Sequence, residues 1–122
     1  MASEPFEKLK VYQSAEQLSD SIWAIVVGWE SFAKDTVGRQ LVRAADSIGA
    51  NIAEGAGRKS YADNKRFVVI ARGSLAETRH FLRRAHKRKL LTQPETDTLQ
   101  EILAKLPRSL NAYLNSIGTK KE

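Results

Sequence analysis

The sequence has no cysteine, only two histidines, and three prolines among its 122 residues. Without cysteine, no disulfide framework can staple the chain and no thiolate metal site can form. That agrees with a reducing compartment. Long hydrophobic runs are missing too. The longest uncharged stretch near the start, Ser21 to Trp29, falls far short of the roughly 20 apolar residues that span a bilayer. The opening Met1-Ala2-Ser3-Glu4-Pro5 puts acid and proline where a secretory signal would need bases and an apolar run. A soluble, cytoplasmic protein without a membrane segment is expected, and 122 residues suit one domain with its own core.

What is present is positive charge, unevenly placed. Twenty Lys/Arg against fourteen Asp/Glu leave +6. Residues 58–90 hold eleven bases and two acids, a local excess of +9, so the remainder of the chain carries −3. Such a block suits a polyanionic partner, RNA or DNA first. It equally suits a solvated helix face that keeps the chain soluble.

Apolar periodicity predicts four helices. In the first, over about 6–33, Ala15, Leu18, Ile22, Ile25, Trp29 and Phe32 step by three and four residues. Lys34-Asp35-Thr36 is the expected break, with Asp35 or Thr36 as the next cap. The second, about 37–54, carries Leu41, Ala45, Ile48 and Ile52 and ends at Gly55-Ala56-Gly57, where glycine accepts a left-handed conformation. The third, about 60–90, starts at a Ser60 cap and spans roughly 45 Å. Phe67, Ile70, Ala71, Ser74, Thr78, Phe81, Leu82 and Ala85 are expected to face inward. The fourth, about 93–117, opens on the capping-box pattern Thr92-x-x-Glu95 and closes at Gly118. A kink is expected before Pro107, and the tail after Gly118 is expected to fray. No strand pattern or repeat competes. The fold class is all-α: an antiparallel up-down-up-down four-helix bundle.

One stretch resists the simple amphipathic reading. Ser47-Ile48-Gly49-Ala50-Asn51-Ile52-Ala53-Glu54 sets Ser47, Asn51 and Glu54 in a polar stripe beside the apolar one, with Gly49 mid-helix at a cost of about 1 kcal/mol against alanine. Gly73 and Ser74 repeat the device in the third helix. Two interior glycines in consecutive antiparallel helices point to close backbone contact, between those helices or across subunits. Asn51 and Glu54 would then need partners, with Arg66 and Arg72 in reach. They could also sit at the solvent edge as ordinary polar residues, or touch a ligand.

The blocks "LVRAADSIGANIAEGAGR" and "RFVVIARGSLAETRHFL", with their spacing and the opening Phe6-x-x-Leu9-x-Val11-Tyr12-Gln13-x-Ala15, resemble the bacterial four-helix-bundle family of 23S rRNA intervening-sequence proteins. The likeness covers nearly the whole chain. It implies a small four-helix bundle that assembles into a homopentamer. Some members are encoded in insertions within large-subunit rRNA genes. A related group serves diversity-generating retroelements, contacting a reverse transcriptase and nucleic acid. The resemblance therefore implies a non-enzymatic, ring-forming, nucleic-acid-associated protein.

Catalytic chemistry finds little footing. Glu77-x-x-His80 matches half of a di-iron motif, but a second such motif is missing, since His86 follows Leu82 and Arg83 at the required spacings. Ser74 and His80 lie on different helix faces, and no nucleophile elbow occurs. No enzyme activity, cofactor or metal is expected. Gly55-Ala56-Gly57-Arg58-Lys59-Ser60 can hold a phosphate or serve as a plain helix-ending turn. For nucleic acid, the candidate residues are Arg58 and Lys59 in that turn and Arg72, Arg79, Arg83, Arg84, Lys87 and Arg88 as the outward row of the third helix. Binding would run through phosphates, with little sequence preference. The alternative is an adaptor ring whose basic surface meets an acidic protein such as a polymerase.

Overall fold

The computed structural model of the chain describes residues 5–118. The expectations of a signal-free start and a frayed tail fall on residues 1–4 and 119–122, outside that range. After a 3-10 turn at Phe6–Lys8, four long helices follow: α1 (Lys10–Val26), α2 (Arg39–Ala56), α3 (Tyr61–Lys87) and α4 (Gln93–Ser116). A helical turn (Ser31–Ala33) and a π-helical segment (Lys34–Gly38) lead into α2. No strand occurs among the described residues, and the chain is an all-α four-helix arrangement.

Side-chain contacts give the order of the helices. Tyr12 meets Gly49 while Val26 meets Gly38, so α1 and α2 run in opposite directions. Asn64 meets Gly55 while Glu77 pairs with Arg43, so α2 and α3 do the same. Arg72 reaches Asn111 while Arg79 and Leu82 lie beside Leu99, which reverses α4 against α3. With α4 also packed on α1, the α1–α2 face and the α3–α4 face lie on opposite sides.

Each helix buries one stripe. Val11, Ala15, Leu18, Ile22 and Val26 come from α1, and Leu41, Ala44, Ala45, Ile48 and Ile52 from α2. Val68, Ala71, Leu75, Thr78, Leu82 and Ala85 come from α3, and Leu99, Ile102, Leu106 and Leu110 from α4. Each large aliphatic side chain contributes roughly 1.5–3 kcal/mol by leaving water. Thr78 is the fully buried polar residue, and its Oγ1 donates to the Ser74 carbonyl one turn back at 2.8 Å. No orphaned hydroxyl results.

Several boundaries differ from the periodicity. The first break lies at residues 27–30, not at Lys34-Asp35-Thr36. The cap is Glu30, whose carboxylate accepts the N–H groups of Phe32 and Ala33 at 3.0 Å. Phe32 consequently leaves the apolar stripe and stands 74% exposed, and Val26 takes the buried place expected of Ile25. Trp29, in the turn, is half-buried and donates its indole N–H to the Leu90 carbonyl at 2.9 Å, tying two turns across one end of the bundle. In α3 the inward register runs through Val68 and Leu75. Phe67, Ser74 and Phe81 sit half-buried at its edge, and Ile70 is 42% exposed.

The helix ends follow local chemistry. Ser60 caps α3 through Asp63 N–H at 3.0 Å, and Thr92 and Glu95 complete a reciprocal capping box on α4. Gly57 ends α2 with φ −84°, so its role there is not left-handed geometry. Lys89 does adopt a left-handed φ of 62°, letting Leu90 N–H reach the Ala85 carbonyl at 2.9 Å in a Schellman-type closure. Pro107 lies inside α4, which stays helical from Gln93 to Ser116.

Candidate nucleic-acid interface

The polar stripe of α2 satisfies itself. Ser47 donates to the Ala44 carbonyl at 2.9 Å, and the Asn51 amide donates to the Ser47 carbonyl at 2.8 Å. Glu54 pairs with Arg58 one turn on, at 2.9 Å, with both side chains largely exposed. The expected network from Asn51 and Glu54 to Arg66 and Arg72 is not formed. Arg66 reaches Asp63 at 3.4 Å, and Arg72 donates to Asn111 at 3.4 Å.

The two interior glycines do not meet. A Cβ on Gly49 would lie 3.4 Å from the Tyr12 ring of α1, and one on Gly73 would meet nothing within 4 Å. Ser74 lies half-buried beside Gly73 and contributes its carbonyl to Thr78. Close approach of α2 and α3 is instead made at Gly55. A Cβ there would lie 2.7 Å from Asn64 Oδ1 and 2.9 Å from Phe67 Cβ.

The expected basic row divides into three places. Arg58 and Lys59 sit in the turn before α3, roughly 30 Å along that helix from Arg79 and Arg83. Arg58 is engaged there by Glu54, and its guanidinium lies 4.7 Å from the centre of the Phe67 ring, as does that of Arg66. The Ser60 hydroxyl caps α3, accepting from the Asp63 N–H at 3.0 Å. Arg72, Arg79 and Arg83 line the flank of α3 that faces α4, with His86 below them. Arg84 is one heptad from Glu77, on the flank towards α2, where Glu77 pairs with Arg43. That pairing occupies the Glu77 carboxylate, which lies three residues before His80. Among the described residues no group of three His, Cys, Asp or Glu is placed to hold a metal ion.

Pairing separates the bases functionally. Arg43, Arg58 and Arg66 have carboxylate partners. Arg79, Arg83, Arg84, Lys87 and Arg88 have none, so the bases at the C-terminal half of α3 stand without an acid partner among the described residues. Guanidinium and ammonium groups left this way are ready to replace the counterions of a phosphate chain.

A second groove, between α1 and α2, is lined by acids, which the sequence reading missed. Glu16, Asp20 and Asp46 gather along this groove of about 330 Å³, where Ser19 hydrogen-bonds Asp46. Burial, reinforced by Glu16 and more distant Glu7 and Asp20, raises the Tyr12 phenol above its ordinary value. Beyond this groove Trp23 and Val27 are 58% and 48% exposed. The −3 balance outside residues 58–90 was the available signal, but only the packing of α1 on α2 brings Glu16, Asp20 and Asp46 together.

Among the described residues no helix is long and apolar enough to cross a membrane. Comparison with curated proteins gives no match. The family described as 23S rRNA-intervening sequence protein matches over residues 7–112. That span takes in all four helices except the last turn of α4, and with it both the Gly55 junction and the unpaired bases of α3. The chain belongs to the 23S rRNA-intervening sequence protein family.

Proposed function

We propose that this protein is a non-enzymatic, cytoplasmic homo-oligomer, a pentamer, that binds RNA or DNA through the α4-facing flank and C-terminal end of α3. The observation that carries the reading is the run Arg79, Arg83, Lys87 and Arg88, exposed and without acid partners among the described residues. Arg58 and Lys59 leave this interface because they lie at the far end of α3, and Arg84 becomes peripheral on its other flank. Phosphate contacts dominate and sequence preference is weak. Assembly is supported by solvent-facing Trp23, Val27, Phe32, Val69 and Ile70, more large apolar surface than one small bundle needs to leave in water. Repeating the basic flank in each subunit multiplies weak contacts.

The test is a charge reversal. Arg79→Glu with Arg83→Glu should abolish binding of a labelled RNA at about 50 mM salt. Light scattering should still return five times the 13.6 kDa chain mass. Undiminished binding by the variant overturns the interface, and a 13.6 kDa wild-type species overturns the assembly. Recovery of an acidic protein partner after nuclease treatment, with no RNA or DNA binding, would assign the same flank to protein instead.

A further inference from the structure

Between α3 and α4 the two helices part to leave a groove of about 350 Å³, within the range of about 300–1,000 Å³ of small-ligand sites. Its two walls differ. Leu82 and Leu99, both buried, form the floor, and half-buried Leu103 extends it. Arg79, Arg83 and His86 stand along the α3 wall, and Gln100 faces them from α4. The side chains of Arg79, Arg83 and Gln100 have no hydrogen-bond partner among the described residues.

We propose that this groove takes one unstacked base of a single-stranded nucleic acid, with its flanking phosphates on Arg79 and Arg83. The inference rests on the nucleic-acid reading above and adds what the groove selects. The apolar floor offers a surface for one face of a base, and the His86 ring, which lines the α3 wall, can stack on the other. The Gln100 amide has both a donor and an acceptor for a base edge. A duplex keeps its bases stacked and paired, so only a single strand can fill such a site without an unpairing cost. The bases extend past the groove. Arg72 lies about 10 Å further along α3 and Lys87 about 6 Å beyond Arg83. A track of that length suits a chain of phosphates, whereas a small anion or a single acidic side chain would use only its centre.

The experiment compares three ligands on the full-length protein: a single strand, the same strand carrying abasic sites, and a duplex of equal length. The intact single strand should bind roughly tenfold tighter than the abasic strand, as expected where a base is stacked. Gln100→Ala, at an exposed position, should narrow that gap several-fold. Equal affinity for intact and abasic strands, or duplex binding as tight as single-strand binding, overturns the groove assignment while leaving phosphate binding in place. Failure to bind all three removes the function proposed above as well. An all-glutamate peptide that binds more tightly than the single strand and displaces it would assign the groove to an acidic protein segment and overturn the inference.

Discussion

Gly55 and Gly73 both sit inside helices, yet their surroundings give them opposite meanings. At Gly55 an added methyl group would come within 2.7 Å of Asn64 Oδ1 and 3.0 Å of the Asn64 carbonyl oxygen, which the helix pair cannot relieve without separating. Gly55→Ala should therefore destabilise the fold by about 1–3 kcal/mol, read from urea unfolding. Gly73 has no neighbour within 4 Å of a Cβ, so Gly73→Ala should raise stability by up to about 1 kcal/mol through helix propensity. A loss at Gly73 would place another chain's backbone against it. Both glycines were visible in the sequence, but periodicity sees only that a residue is small, not which backbone comes near. Tyr12 gives a pH signature at the same scale. Its phenol is raised, chiefly by burial and then by Glu16. Its stabilising contribution is complete below the unfolded value near 10, and is lost as pH rises through the higher folded value. Unfolding titrations should show stability falling above about pH 10, less steeply in Tyr12→Phe. An identical alkaline limb in that variant would contradict the assignment.

Among elements, the existence of four helices was legible because each apolar stripe repeats by three and four residues. The first boundary was not. The stripe formally continues through Trp29 and Phe32, and glutamate is an unusual N-cap, so the one local signal of the break at residues 27–30, Gly28, was outweighed by the periodicity. Asp35 and Thr36 were the more conventional candidates, yet both fall inside the π segment, where Thr36 Oγ1 donates to the Phe32 carbonyl at 2.6 Å. The register of α3 was ambiguous for a different reason. Phe67, Val68, Val69 and Ile70 are consecutive and apolar, so every face has a claimant. Packing settles it, with Val68 inside and Ile70 outside. The turn that replaces the expected long first helix is held by the Trp29–Leu90 hydrogen bond. Trp29→Phe keeps an aromatic ring but leaves the Leu90 carbonyl without that donor. It should destabilise by about 1–2 kcal/mol, with an unchanged urea m-value. A neutral substitution would mean that the bond contributes nothing across the end of the bundle.

Over the whole molecule, the +9 excess in residues 58–90 was legible, but its distribution was not. Sequence order joins Arg58 to Arg88, while the helix length separates them and ion pairs remove Arg58 and Arg66 from the available charge. What remains is unpaired Arg79 and Arg83 on the flank facing α4, with Lys87 and Arg88 at the end of the helix and Arg84 on its other flank, and an acidic groove between α1 and α2. On the proposed function, this charge distribution would orient a polyanion towards Arg79 and Arg83 and away from Glu16, Asp20 and Asp46. The most direct measurement of this claim is the affinity for a single strand across a series of salt concentrations. If Arg79, Arg83, Lys87 and Arg88 each meet one phosphate, the log–log slope should be about −3 per protomer engaged, and it should flatten when Arg79 and Arg83 are both changed to glutamine. A slope near zero, or a steep slope that survives the double substitution unchanged, would contradict the account.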